Sequence, residues 1–385
     1  MHNSANNSRV ITPEIKKVLS HKKCAVLTTQ NTVCGIAEYS RDLYASVTNS
    51  FDQFYFVANS DVADRVRPDD QHVVRLWEYG EANFNRVAEW LEKEQIDILH
   101  IQQHLSHFPL SAVYNLIQTI DKQHTGLDMY LTFHTLFMGG NDVNIDVSAL
   151  SKLKRIFVHK QSDFDYLQNK GLNNLQLFPL PYDIYPLHDR GKLQQQLGID
   201  ASSPIIVTHG IISEHKGLLE TAEAVAELKR EYPEILWLAV NALNINNVSS
   251  GGTLEKLQKL TGKLDIADNV RLFTDFLDAA ELMMLIQSAD IGLLAYTEVG
   301  ESASAAVRKF LASGTPTIVT DIPMMNELDK EVMKIKSSNP GEISSGIKQL
   351  LDHKDKAEEI TSAALARSQK YSWENMALGL LHTYS

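Results

Sequence analysis

IVTHGIISEHKGLLETAEAV, residues 206–225, reads as a buried strand that runs into Gly210, a short loop, and a Lys216–Gly217 pair that opens a long helix. A lysine in a first helical turn opposes the helix dipole. Its presence there suits an anion already held by the unpaired N–H groups of the helix start. The same geometry occurs once before. In TTQNTVCGIAEYSRDL, residues 28–43, a strand ends, a loop passes through Gly35, and a helix begins. A glycine at such a turn lets a ligand approach the backbone closely, although it also serves as a plain turn residue.

Each of these turns stands at the head of a block in which short apolar runs alternate with amphipathic stretches. CAVLTT, FYFVAN, IDILHIQ, DMYLTFH, RIFVHK and LQLFPL are strand-like in the first block, with AEYSRDLYASV and NRVAEWLEKEQ among the helical stretches between. PLPYDIYPLHDRGK interrupts the pattern with its prolines. The alternation then restarts through PIIVTHG, EILWLAV, NVRLFT, DIGLLAY and PTIVT. Strand–helix alternation implies parallel sheets covered on both faces. The expected fold class is therefore α/β, with two doubly wound, Rossmann-like domains facing across a cleft and ligands beyond the carboxyl ends of the strands. The expected boundaries are 1–185 for an N-terminal, acceptor-side domain and 198–368 for a C-terminal, donor domain. A last helix at 372–385, SWENMALGLLHTYS, packs back on the first domain, with Ser372 as a candidate N-cap.

Bulk properties narrow the function. A chain of 385 residues exceeds the size of a single core, and 44% hydrophobic with 22% charged residues is an ordinary globular balance. A net charge of −12 without a Lys/Arg-dense stripe argues against nucleic acid as a partner. No apolar run approaches a membrane span and no secretory leader is visible at the start, so a cytoplasmic location is expected. Weak peripheral membrane contact through a local patch stays open. Two cysteines, Cys24 and Cys34, suit a reducing compartment.

Three further places carry candidate chemistry. GESASAAVRKFLASGTP, residues 300–316, puts Glu301 after a buried strand, Ser302 and Ser304 at a helix start, and Arg308–Lys309 one turn into the helix. That arrangement can bind a phosphate while Glu301 accepts from hydroxyls. It can also be a simple N-cap with a solvated basic face. LTFH ends in His134 at a carboxyl strand end, and HIQQHLSHFP offers Gln103, His104 and His107 at another, as candidate acceptor-side contacts. Zinc-ligand spacing, calcium loops, the nucleophile elbow and the Walker phosphate loop are not found. The reading calls for no metal and no cofactor.

Together CGIAEYSRDL, LTFH, THGIISEHKG, the stretch FTDFLDAAELMMLIQSADIGLLAY and SWENMALGLL, in that order, resemble retaining glycosyltransferases of the family 4 type (glycosyl transferases group 1), which have the GT-B fold. The resemblance covers about residues 22–385. It implies Gly35 near a donor diphosphate, His134 as the active-site histidine, Gly210 in the donor-site turn, Lys216 as the phosphate-binding lysine, and Glu301 as the first glutamate of the family's motif. Lys309 stands where that motif has its second carboxylate, and Ile211, Ile212 and Ser213 stand where an arginine is usual. Arg308 or Lys309 then supplies the missing cation. The implied activity is metal-independent transfer of a hexose from a nucleotide diphosphate sugar to a saccharide or glycolipid hydroxyl, in polysaccharide or glycoconjugate synthesis. The alternatives are a non-catalytic sugar- or nucleotide-binding subunit, and a nucleotide-sugar epimerase or hydrolase on the same fold.

Overall fold

The computed structural model describes residues 12–32, 34–60, 66–123, 126–136, 144–200, 203–243, 248–297 and 304–385. The chain divides into two compact units, Met1–Pro181 with Trp373–Ser385, and Tyr182–Ser372.

In the first unit seven parallel strands form one sheet: β1 (Lys23–Leu27), β2 (Gln53–Asn59), β3 (Val73–Trp77), β4 (Ile98–Gln103), β5 (Asp128–Phe133), β6 (Arg155–Val158) and β7 (Leu175–Leu177), in the order 3-2-1-4-5-6-7. The order reverses at β1, which pairs with both β2 and β4. β4 is buried at all six positions, as a central parallel strand covered on both faces must be. β3 was not evident from the sequence because it is an edge strand, mostly half-buried, with Arg75 at its centre.

The second unit repeats the plan with six strands: β8 (Ile205–Ile211), β9 (Leu236–Ala242), β10 (Val270–Phe273), β11 (Ile291–Leu294), β12 (Thr317–Thr320) and β13 (Met333–Ile335), in the order 10-9-8-11-12-13. Here β8 is the strand at which the order reverses, flanked by β9 and β11. The three-residue edge strand β13 is also too short and too half-exposed to stand out in the sequence. Both units thus have the strand order of a Rossmann-like sheet, and such sheets take ligands at the reversal point beyond the carboxyl ends.

The terminal helix, Trp373–Tyr384, belongs to the first unit and is held there by a buried polar cluster. The hydroxyls of Tyr384 and Tyr44 lie 2.9 Å apart, and both meet His100 Nδ1, at 2.5 and 2.6 Å. His100 Nε2 lies 2.8 Å from Thr132 Oγ1. Burial pushes the His100 imidazole down to about 3, so it is neutral. A neutral ring shared by two hydroxyls leaves no uncompensated charge inside the core.

Candidate active site

In the first unit the loop after β1 leads into the helix Gly35–Tyr44, with Cys34 as its N-cap residue. A Cβ placed on Gly35 would meet no atom of the described residues within 4 Å, so none of them demands glycine at this helix start. The helix buries Ala37, Tyr39, Ser40, Leu43 and Tyr44 against the sheet. Tyr39 sets its ring edge-on to His134, with centroids 4.7 Å apart, and contacts His159 and Trp373 at 5.5 Å each.

His134 follows the last residue of β5 and both of its ring nitrogens have neighbours. Nδ1 is 3.2 Å from His159 Nε2, and Nε2 is 2.8 Å from the Gln102 side-chain amide. His159 Nδ1 in turn lies 2.8 Å from the Phe178 carbonyl, which can only accept. Burial, then the neighbouring His159, holds His134 well below the usual histidine range, so it is neutral. The Phe178 carbonyl accepts from His159 Nδ1–H, and Gln102 Oε1 accepts from His134 Nε2–H. The second histidine was not singled out in the sequence, although RIFVH ends β6 just as LTFH ends β5.

Gln103 is fully buried and donates through Nε2 to the Phe108 carbonyl at 3.1 Å. His104 accepts at Nδ1 from the Ser106 backbone N–H at 3.2 Å. His107 Nε2 lies 3.5 Å from Cys34 Sγ, joining the β4 loop to the β1 loop, and burial pushes its imidazole down to about 4. Buried side-chain atoms without a hydrogen-bond partner among the described residues gather in the same region: Gln30 Oε1, Tyr39 Oη, Gln102 Nε2, Gln103 Oε1 and His107 Nδ1. Such groups are costly unless something pairs with them, and here they mark the carboxyl ends of β1 and β4.

In the second unit β8 ends through Gly210 (φ +146°), and Gly217 (φ +67°) precedes the helix Leu218–Leu228. Gly217 is obligatory: a Cβ there would lie 1.9 Å from the Ala295 carbonyl oxygen. That close approach seats the turn against the end of β11, where Thr297 N–H also donates to the His215 carbonyl at 2.9 Å. Lys216 Nζ consequently sits over the Tyr296 ring, 4.0 Å from its centroid, while the Tyr296 hydroxyl donates to the His209 carbonyl at 3.4 Å. Tyr296 was absent from the sequence candidates because only the tight β8–β11 approach brings it under Lys216.

Glu301 and Ser302 lie outside the described residues. Ser304 is the N-cap of the helix Ala305–Ser313 and accepts from Val307 N–H at 3.3 Å. Arg308 is largely buried; burial lowers its proton affinity, with Tyr182, Glu327 and Asp183 opposing. Lys309 Nζ donates to the Tyr185 hydroxyl at 3.2 Å and lies 3.9 Å from Asp183. His209 is held below the usual range by burial and also by the nearby Lys309 charge, against a raising contact with the Val240 carbonyl. The structure therefore gathers Gly210, Lys216, Tyr296 and His209 at the reversal point of the second sheet, with Lys309 within electrostatic reach. Among the described residues no group of three or more His, Cys, Asp or Glu side chains is arranged to hold a metal ion.

Comparison with known proteins places this geometry. Residues 189–367 match the family model described as "Glycosyl transferases group 1". Two proteins named D-inositol 3-phosphate glycosyltransferase are similar: that of Segniliparus rotundus is 26% identical over 51% of this chain and 43% of its own length, and that of Corynebacterium urealyticum is 28% identical over 50% and 45%. The matched stretch thus spans less than half of these relatives. Among solved structures, a glycosyltransferase from Rickettsia africae superimposes with a TM-score of 0.69 at 15% identity, covering 94% of this chain and 98% of that one. Anabaena Alr3699/HepE in complex with UDP gives 0.66 at 14%, covering 94% and 99%. The two Rossmann-like units have the GT-B fold, and the match to the group 1 model falls within the second unit. No described helix is long and apolar enough to cross a membrane.

Proposed function

We propose that the chain is a retaining hexosyltransferase that uses a nucleotide diphosphate sugar, with donor on the second unit and a hydroxyl acceptor on the first. The observation that carries the reading is Lys216. It ends the 3-10 turn Glu214–Lys216, just before the helix Leu218–Leu228 at the reversal point of the second sheet, and rests on Tyr296, a cation beside a helix start that favours an anion. The UDP named with the Anabaena structure and the transferase names of the relatives support the same reading.

The acceptor hydroxyl attacks on the leaving-group side, and the departing diphosphate takes its proton. Lys216 and the N–H groups at the helix start stabilise the charge that grows on the diphosphate, an electrostatic contribution of a kind worth about 3–4 kcal/mol per donor. Glu301 is assigned to hydroxyls of the donor sugar. His134, neutral and fixed by His159 and Gln102, presents its ring to the sugar and is not a proton carrier in this scheme. The test is turnover of nucleotide diphosphate sugars against a mixed saccharide acceptor pool, with and without chelator. Transfer that persists in chelator supports the reading. Sugar conversion without any acceptor would identify an epimerase or hydrolase instead.

A further inference from the structure

Asn241 of β9 stands directly beside Gly210 of β8 in the parallel register. It is 3% exposed, and its side-chain amide is held at one end by a chain of buried groups. Trp237 Nε1–H, which can only donate, bonds Thr208 Oγ1 at 3.0 Å. The Thr208 hydroxyl donates its own proton to Asn241 Oδ1 at 2.7 Å. Trp237 and Thr208 are themselves buried, so this chain fixes the amide: its oxygen faces Thr208 and its NH2 is turned away from it.

Asn241 Nδ2 makes no hydrogen bond with a described residue. It borders the space over Gly210. A Cβ at Gly210 would lie 3.7 Å from Tyr296 Oη and 3.9 Å from Asn241 Nδ2, and beyond its chain neighbours it would meet no other described atom within 4 Å. The same Tyr296 carries the Lys216 ammonium over its ring. Among the described residues the acceptors here are already engaged, Asn241 Oδ1 by Thr208 and the His209 carbonyl by Tyr296. The place therefore offers a cation and a fixed N–H donor, a combination suited to a group that only accepts, as a phosphate oxygen does. An amide donor buried this deeply is costly unless something pairs with it.

We propose that Asn241 is a further catalytic residue, whose Nδ2–H donates to a phosphate oxygen of the donor lodged over Gly210, with Thr208 and Trp237 positioning the amide. The proposal rests on reading the second unit as the donor side. A neutral donor fixed before the ligand arrives stabilises growing charge without reorganising. The full chain is titrated calorimetrically with UDP, GDP and ADP, and the tightest of them is compared with its nucleoside. Asn241→Asp keeps the shape and the acceptor for Thr208 but puts an oxygen where the donor was. It should weaken the diphosphate by about tenfold or more and leave the nucleoside unchanged. Asn241→Ala removes the donor without adding charge and should fall between the native chain and Asn241→Asp; it carries the test alone if Asn241→Asp does not fold. A merely structural Asn241 gives the reverse order, because alanine leaves the Thr208 proton without its acceptor and aspartate does not. That reverse order, unchanged diphosphate affinity in both variants, or equal weakening of diphosphate and nucleoside would each overturn the proposal. If Lys216→Ala still weakens the diphosphate in that case, the donor reading stands without Asn241. Failure of the native chain to bind any of the three diphosphates would overturn the donor reading and the proposal together.

Discussion

The ammonium of Lys216 lies 4.0 Å from the centre of the Tyr296 ring, a contact between the turn after β8 and the end of β11. A cation over an aromatic face is worth about 0.5–2 kcal/mol, enough to hold a long flexible side chain in one place before a ligand arrives. Lys216→Ala is therefore expected to lower turnover by about a hundredfold while moving the unfolding midpoint little. Tyr296→Leu should lower turnover less, because the charge remains but its position is no longer fixed. Steady-state kinetics beside urea unfolding separates the two effects, and an active Lys216→Ala enzyme would remove Lys216 from the reaction.

Gly217 tests whether that geometry is imposed by the backbone. Alanine there must adopt φ near +67° and place its Cβ 1.9 Å from the Ala295 carbonyl oxygen. The expected cost is more than about 2 kcal/mol in urea unfolding. Gly35→Ala has open space around it and should cost less than about 0.5 kcal/mol. A smaller loss for Gly217→Ala than for Gly35→Ala would contradict the described approach of β8 and β11.

The fold was legible from the alternation of apolar runs and helical stretches because buried parallel strands such as DIGLLAY and EILWLAV leave a near-continuous hydrophobic signal. The edge strands β3 and β13 leave none, since only part of each is buried. Lys216 drew notice as a cation expected in a first helical turn; the structure places it instead at the end of the 3-10 turn Glu214–Lys216, ahead of the N-cap Gly217. Tyr296 and His159 were not legible, because their roles come from strands that are neighbours only in the folded sheets. The reading of Ser304 as an N-cap and that of it as a phosphate ligand were both open in the sequence; the structure shows its hydroxyl capping Val307.

Lys309 offers an electrostatic readout. Its charge is one of the causes that hold His209 below the usual range. Lys309→Glu should let the His209 imidazole titrate at higher pH, as followed by its ring proton resonances. Donor affinity and turnover should change in the same variant. An unmoved His209 and unchanged kinetics would leave Lys309 without a donor role.

Acid stability follows from His100. Its folded value of about 3 lies below its unfolded value, so between about pH 6.5 and 3 the unfolded chain binds the extra proton. The stability it contributes is complete above about pH 6.5 and is lost as pH falls, at about 1.4 kcal/mol per unit. His107 and His134 are depressed in the same sense and steepen the slope. Urea unfolding at pH 7, 6 and 5 should show this decline, and His100→Gln should flatten it; an equal slope in the variant would refute the assignment.

Donor binding at Lys216 is tested most directly by heating the protein with a panel of nucleotide diphosphate sugars. A ligand at a hundred times its dissociation constant stabilises by about 2.7 kcal/mol, a shift of at least a few degrees in Tm. The account predicts that at least one nucleotide diphosphate sugar raises Tm in the native chain and not in Lys216→Ala. A panel without effect, or an equal shift in Lys216→Ala, would contradict it.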